Sequence, residues 1–327
     1  MKVLFIGGTG IISASCSRLA VEMGIELAHF NRGRSHRRVD GVKRIQGDIH
    51  DRDGARELLR GQSFDAVVNW IAFRPEQVRA DIELFRGQIG QYVFISSASA
   101  YQKPVRRLPI TEQTPLENPF WQYARDKARC EVILGEEYRE RGFPLTIVRP
   151  SHTYDATLLP TDWGYTVLDI MKKGKKIIIP GDGTSVWVMT HASDFAAGFV
   201  PLLGNQRAIG EAFHITSDEL LTWNLIYQMM AEALGVSLNA LHIPSDFIAR
   251  HDPEMGANLL GDKSHSVIFD NSKIRGLVPG FAPGIPFQRG VREIVQWYEQ
   301  NAGWQVVDQR IDSTIDAIID AYGVSVG

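Results

Sequence analysis

Cysteine is scarce in this chain. Only two occur among 327 residues, Cys16 and Cys130. With no repeated Cys/His spacing, they argue against a disulfide framework, a structural zinc site or any other metal centre. Long apolar runs are missing too. None reaches the length of a membrane span, and the run after Lys2 is too short for a secretory leader and breaks at once into glycines. Nor is positive charge in excess: 35 lysines and arginines against 38 acids leave a formal net charge of −3, which gives no global basic field for nucleic acid. The sequence holds no internal repeat, low-complexity tract or flexible linker. What remains is ordinary globular composition, 44% hydrophobic and 22% charged, in a chain long enough for one large domain or two lobes. The expectation is a cytoplasmic enzyme acting on a small molecule, with no membrane partner and nucleic acid disfavoured.

Strand-like runs recur at Val3–Ile6, Glu26–Phe30, Lys43–Gln46, Ala66–Trp70, Tyr92–Ser96 and Leu145–Val148. Helical patterns fill the gaps at roughly Ile11–Met23, Asp53–Arg60, Pro75–Arg86 and Trp121–Arg141. This alternation predicts an α/β fold, a Rossmann-like doubly wound parallel sheet. Arg149-Pro150 closes the regular part. Beyond it, prolines and glycines separate shorter elements, with helices expected at Ala192–Leu203, Trp223–Leu234 and Val291–Asn301 and a last amphipathic segment from about Val307 to Tyr322. Residues 1–150 are thus expected to form a dinucleotide-binding domain. Residues 151–327 are expected to form a smaller C-terminal substrate lobe, with some chain returning to the first domain. Such a lobe would pack over the carboxyl edge of the sheet, where ligands of doubly wound sheets bind.

The first apolar run ends in Gly7-Gly8-Thr9-Gly10, and a helical pattern starts directly after it. Strand, glycine turn and helix in that order make an anion site: the helix N-terminus has unpaired N–H groups and a partial positive charge, and glycines let a diphosphate approach. Ser13 stands where a third glycine often lets helix and strand pack closely, and is small enough to replace it. The second strand ends in His29-Phe30-Asn31-Arg32-Gly33-Arg34, with Arg37 and Arg38 beyond. An NAD site usually places an acid there for the ribose hydroxyls. Arg32 and Arg34 suit a 2′-phosphate instead, so the reading favours NADP over NAD. Asp48, after the third strand, is suited either to accept from the adenine amino group or to cap the next helix.

The run Val93–Ile95 leads into Ser96-Ser97-Ala98-Ser99, and Tyr123 with Lys127 follows 26 positions after Ser97. On a helix, Tyr123 and Lys127 share one face. A nearby ammonium, helped by a cationic cofactor ring, would pull the phenol from about 10 toward neutrality. Tyr123 could then take a proton from a substrate hydroxyl while the nicotinamide takes the hydride, with Ser97 bonding the same oxygen.

With these residues the chain resembles an extended short-chain dehydrogenase/reductase of the NAD(P)-dependent epimerase/dehydratase family. The resemblance runs over nearly the whole length: Gly7-Gly8-Thr9-Gly10, Asp48, Ser97, Tyr123, Lys127, Arg149-Pro150, Gly181-Asp182-Gly183 and Asp194-Phe195-Ala196. It is closest to a branch that also holds the chloroplast stem-loop-binding proteins. The resemblance implies a Rossmann domain, a substrate lobe, a bound NAD(P), catalytic Ser97, Tyr123 and Lys127, and a possible homodimer through the helices at Pro75–Arg86 and Trp121–Arg141. The expected cofactor contacts are Gly7, Thr9, Gly10, Ile11 and Ile12, then Asn31, Arg32 and Arg34. Asp48, Ile49, Ala72 and Pro150 follow, together with Tyr123 and Lys127.

Departures from the family pattern narrow the substrate. Where nucleotide-sugar enzymes carry an arginine after the Gly-Asp-Gly turn, this chain has Trp187, and an indole cannot neutralise a diphosphate. Ala98-Ser99 replaces the Asp-Glu pair of sugar 4,6-dehydratases. The loop from Ala72 to Pro75 is short, and Asn69 ends the fourth strand, either toward the nicotinamide or in a structural bond. Ser99, His152 and Trp187 are the expected substrate contacts. Trp163, Trp223 and Trp304 read as packing, and His191 as structural. The leading expectation is an NADP-dependent oxidoreductase or epimerase acting on a hydroxyl carbon of a sugar-like substrate. The alternative is an RNA-binding or cofactor-sensing protein of the same fold, for which the basic stretches Lys172–Lys176 and Arg32–Arg38 are the candidates.

Overall fold

The computed structural model describes residues 1–305 and 307–326. The first part alternates strand and helix: β1 (Lys2–Ile6), α1 (Ile11–Glu22), β2 (Glu26–Asn31), β3 (Lys43–Gln46), α2 (Arg52–Leu59), β4 (Phe64–Asn69), α3 (Pro75–Phe85), β5 (Ile89–Ile95), α4 (Gln122–Arg141) and β6 (Leu145–Pro150). Next come β7 (His152–Tyr154), α5 (Thr166–Lys172), β8 (Ile177–Pro180), β9 (Val186–Trp187), β10 (Met189–His191), α6 (Ala192–Phe199), β11 (Ala212–Ile215) and β12 (Leu221–Thr222). The remainder is α7 (Trp223–Leu234), β13 (Ala240–Ile243), α8 (Ser245–His251), α9 (Pro253–Asn258), α10 (Ser272–Leu277), α11 (Phe287–Gln300) and α12 (Gln309–Val326).

Seven strands form one sheet in the order β11-β6-β5-β4-β1-β2-β3, and every neighbouring pair is parallel. The two-residue period of a strand explains the continuous apolar runs. Val3 and Phe5 face a cluster with Cys16, Ala20, Phe195 and Phe199 from α1 and α6. Leu4 and Ile6 face the other side, with Ala55, Ile82 and Leu134 from α2, α3 and α4. Both faces are covered, so nothing on these strands needs to be polar. A buried bidentate pair, Arg149 to Glu131 at 2.9 and 2.6 Å, ties β6 to α4.

The sheet is not completed within the first 150 residues. Its edge strand, β11, comes from the second half and pairs with β6. No apolar run announces it, because His214 sits in its middle; the ring is fully buried and bonds the Tyr101 hydroxyl at 3.1 Å and the Asp270 carbonyl at 2.8 Å. Helix α6 is shorter than its pattern predicts. Pro201 ends the α-helical bonding, and Val200–Leu202 form a 3₁₀ turn. The remaining strands pair off as β7 with β10, β9 with β12 and β8 with β13. They pack with α5, α7 and α11 around a separate core that includes Leu168, Ile178, Met230 and Ile294. Trp163 and Trp223 belong to it. Trp304 does not: it is 58% exposed, with its ring against that of Trp297 at 5.4 Å, which corrects its reading as core packing.

Among the described residues no helix is long and apolar enough to cross a membrane, and no group of three or more acidic, histidine or cysteine side chains could hold a metal ion. The functional consequence of the topology lies at β1. Its neighbours are β2 on one side and β4 on the other, so the strand order reverses there. A crevice opens beyond the carboxyl ends of β1 and β4, where ligands of this architecture bind.

Candidate active site

The glycine turn fills the bottom of that crevice. Gly7 and Gly8 have φ of +105° and +82°, values that L side chains rarely adopt. Space also demands glycine: a Cβ on Gly8 would stand 2.6 Å from the His29 ring. His29 is itself held in place by the Ser17 hydroxyl at 2.8 Å, and burial pushes its pKa down to about 4. Ser13 does more than fit, since its Oγ accepts a 2.8 Å hydrogen bond from the Gly10 N–H. The N–H groups of Ile11 and Ile12 open α1 and have no carbonyl to bond within the helix. A diphosphate fits this cradle of free donors at a helix N-terminus.

Around the cradle the expected cofactor residues fall as follows. Asn31 ends β2, and its side chain accepts from the Gly33 N–H at 2.9 Å. Arg32 and Arg34 are exposed and make no ion pair among the described residues. Arg37 is different: it donates to the Gly10 carbonyl and to Asp155, both at 3.1 Å, and to the Thr157 hydroxyl. Asp48 accepts from the His50 N–H at 3.0 Å and is not the cap of α2. That cap is Asp51, whose carboxylate accepts from the Gly54 N–H at 3.1 Å. Ile49 and Ala72 line a cavity of about 110 Å³, and Pro150 is half-buried at the end of β6. Asn69 is structural. It donates to Asp81 at 2.5 Å and accepts from the Ile71 N–H at 2.9 Å.

Ser97 lies just past β5, and its Oγ accepts from the Ser99 N–H at 3.1 Å, capping the 3₁₀ turn Ala98–Ala100. Tyr123 and Lys127 stand one turn apart at the start of α4. Lys127 is 1% exposed. Its Nζ donates to the Ala72 and Ile95 carbonyls, each at 2.7 Å, and faces the rings of Phe73, Phe94 and Tyr123 at 4.6, 5.0 and 5.8 Å. Burial pushes this lysine down to about 7. The expected lowering of Tyr123 is corrected by the structure. Burial raises its pKa above the ordinary value and Asp262 adds to the rise, while a hydrogen bond with Ser97 works the other way. The physical reason is burial of the phenol, and Lys127 commits two of its donors to carbonyls.

Beside these residues lies a pocket of about 360 Å³ whose lining includes Ser97, Ser99, Tyr123, His152 and Trp187. Burial and the Lys263 charge hold His152 neutral down to about 4. Its ring meets Trp187 edge-on at 5.8 Å. Trp187 is built into the wall. It is 3% exposed, packs on Trp223 at 5.4 Å, and donates its indole N–H to the Lys263 carbonyl at 3.1 Å. His191 is structural as expected; its Nδ1 accepts from the Ser193 N–H and caps α6.

Six polar residues of this pocket escape the sequence reading: Ser151, Thr153, Asp162, Asn258, Asp262 and Lys263. Asp262 accepts from the Ser99 hydroxyl at 2.9 Å, with buried Lys103 3.5 Å away. Lys263 pairs with Asp162 at 3.0 Å and donates to Asn258 at 2.8 Å. Asp262 and Lys263 sit on a π-helical turn, Leu259–Lys263. A five-residue repeat leaves no trace in a 3.6-residue pattern, although such turns recur at functional sites.

The sequence model of the NAD dependent epimerase/dehydratase family matches residues 3–216. Among characterised proteins, the chain is 27% identical over 250 residues to the chloroplast stem-loop binding protein of 41 kDa b from Arabidopsis thaliana, a match that covers 72% of this chain and 63% of that one. It is 24% identical over 307 residues to the 2′-dehydrokanamycin reductase of Streptomyces kanamyceticus, covering 91% and 84%. Among solved structures, the UDP-glucose 4-epimerase from Bifidobacterium longum in complex with NAD+ and UDP superposes with a TM-score of 0.76 at 17% identity, covering 93% of this chain and all of that one. This likeness establishes the fold.

Proposed function

The chain belongs to the NAD-dependent epimerase/dehydratase family, and we propose that within it this enzyme transfers a hydride between NADP and a hydroxyl-bearing carbon of a sugar-like substrate. One observation carries the reading: Ser97 and Tyr123 line the same pocket, with the Lys127 ammonium over the tyrosine ring. When bound, the nicotinamide supplies the hydride acceptor and donor. Gly7, Thr9, Gly10, Ile11 and Ile12 would hold its diphosphate, and Asp48, Ile49 and Ala72 its adenine end, with Pro150 at the close of β6. Tyr123 takes the substrate proton at its hydroxyl, and Ser97 holds the same oxygen. Lys127 keeps one donor beyond its two carbonyls, which would hold the ribose of the bound cofactor.

The preference for NADP is supported by β2, which ends without an acid, and by Asn31 and the unpaired Arg32 and Arg34 beside it. Replacing both arginines with alanine is expected to weaken NADP at least about tenfold more than NAD, the scale of lost charge-assisted bonds, in a fluorescence titration. Equal losses would place the 2′-phosphate elsewhere. Tyr123→Phe is expected to cut turnover by at least about 100-fold and leave dinucleotide affinity unchanged; retained turnover sinks the assignment. The stem-loop-binding relative favours an RNA-binding reading, but the basic stretch Lys172–Lys176 at the end of α5 does not. Lys172, Lys173 and Lys175 are already paired with Glu299, Asp169, Asp312 and Asp316.

A further inference from the structure

The loop between β2 and β3 sends one arginine back to the glycine turn. Arg37 donates from Nη1 to the Gly10 carbonyl and to Asp155, each at 3.1 Å, and from Nη2 to the Thr157 hydroxyl. A guanidinium has five N–H donors. These three bonds leave the Nε–H and one Nη2 hydrogen, enough for a bidentate contact with a phosphate. Their place is specific. Gly10 is the N-cap of α1, so the guanidinium is held beside the open N–H groups of Ile11 and Ile12. Arg32 and Arg34, which are exposed after β2, make no such bond to the glycine turn.

A cation is misplaced at this spot unless an anion joins it. The N-terminus of α1 is the positive end of the helix dipole, and cations are favoured at the other end. Asp155 faces Arg37, but its carboxylate is shared. One oxygen accepts from the Thr157 N–H and hydroxyl at 2.8 and 2.6 Å, and the other accepts from Arg37. One shared carboxylate thus stands against a guanidinium, a helix N-terminus and two open N–H groups. The balance is positive, and a bound diphosphate would answer it. The brace on Arg37 also leads to the catalytic pocket. The Leu158 N–H bonds the Asp155 carbonyl at 3.1 Å, and Leu158 and Asp162 line the pocket that holds Tyr123.

Resting on the hydride-transfer reading above, we propose that Arg37 is a further cofactor-binding residue: braced by Asp155 and Thr157, it gives its two remaining donors to the diphosphate common to NAD and NADP, and so ties cofactor occupancy to the loop that lines the catalytic pocket. Calorimetric titration of the full chain with NAD, NADP and ADP tests this. Arg37→Ala is expected to weaken all three by about tenfold, the loss of one charge-assisted contact, whereas alanine at Arg32 and Arg34 acts chiefly on NADP. Thr157→Val leaves Arg37 in place and removes part of its brace. It should weaken all three by about threefold, and it keeps the test open if the first variant does not fold. Hydrogen exchange supplies a second readout. Saturating NAD is expected to slow the backbone amides of residues 155–165 in the wild type and not in Arg37→Ala. The proposal is overturned if neither variant loses affinity for ADP, or if the loss is confined to NADP, which would make Arg37 a reader of the 2′-phosphate. It is overturned too if NAD slows exchange equally in wild type and Arg37→Ala. A wild type that binds no dinucleotide would bring down the hydride-transfer reading as well; NAD and NADP bound with Arg37 idle would strike this proposal alone.

Discussion

Lys127 and Asp81 are both buried beside the crevice, and burial pushes both toward the neutral form. Lys127 is given two carbonyls and three aromatic faces. Asp81 is given the Tyr92 hydroxyl and the Asn69 amide, both on one oxygen, and burial still pushes its carboxyl from 3.8 to about 6. The folded state therefore keeps a proton between about pH 4 and 6 that the unfolded chain has released. Stability from this group is highest below about pH 4, falls as pH rises to about 6, and is level above. His29 and His152, held neutral to about 4, slope the other way. Asp81→Asn is thus expected to make melting temperature rise more steeply with pH than in the wild type over this window; parallel curves would refute the assignment. At this scale the sequence was informative about placement and silent about direction. The four-residue spacing put Tyr123 and Lys127 on one face, but nothing in it could show that the ammonium points at Ala72 and Ile95.

Among the elements, the glycine turn is the most constrained. Gly8→Ala must place a methyl group 2.6 Å from the His29 ring at φ +82°. The backbone alone costs about 1–3 kcal/mol, so the variant should melt several degrees lower and bind dinucleotide at least about tenfold more weakly. Unchanged affinity would mean that the turn does not cradle the cofactor. This element was legible because a strand, three glycines and a helix leave an unmistakable pattern in sequence. The strands β1, β4 and β5 were legible for a related reason: covered on both faces, they carry unbroken apolar runs. β11 was not, since a buried histidine interrupts it. The π-turn that carries Asp262 was not, since no periodic signal marks it.

Across the whole molecule, Arg37 joins the glycine turn to the segment after β7. Its partner Asp155 is fixed in turn by the Thr157 amide and hydroxyl at 2.8 and 2.6 Å. The pair is 24% and 12% exposed, so it is screened only in part, and losing it should cost about 1–2 kcal/mol. Asp155→Asn is expected to lower the melting temperature by roughly 2–4 °C and to broaden the transition, as the two halves loosen from each other. An unshifted, equally sharp melt would show the link to be idle. The π-turn has a different kind of reach. It holds one residue more than a regular helical turn, so deleting a residue within Leu259–Lys263 would swing Asp262 by about 100° around the axis while leaving every side chain's identity untouched. The chemistry of the pocket is therefore stored in chain length as well as in composition, and a change of substrate could come from a shortened gene as readily as from an exchanged residue.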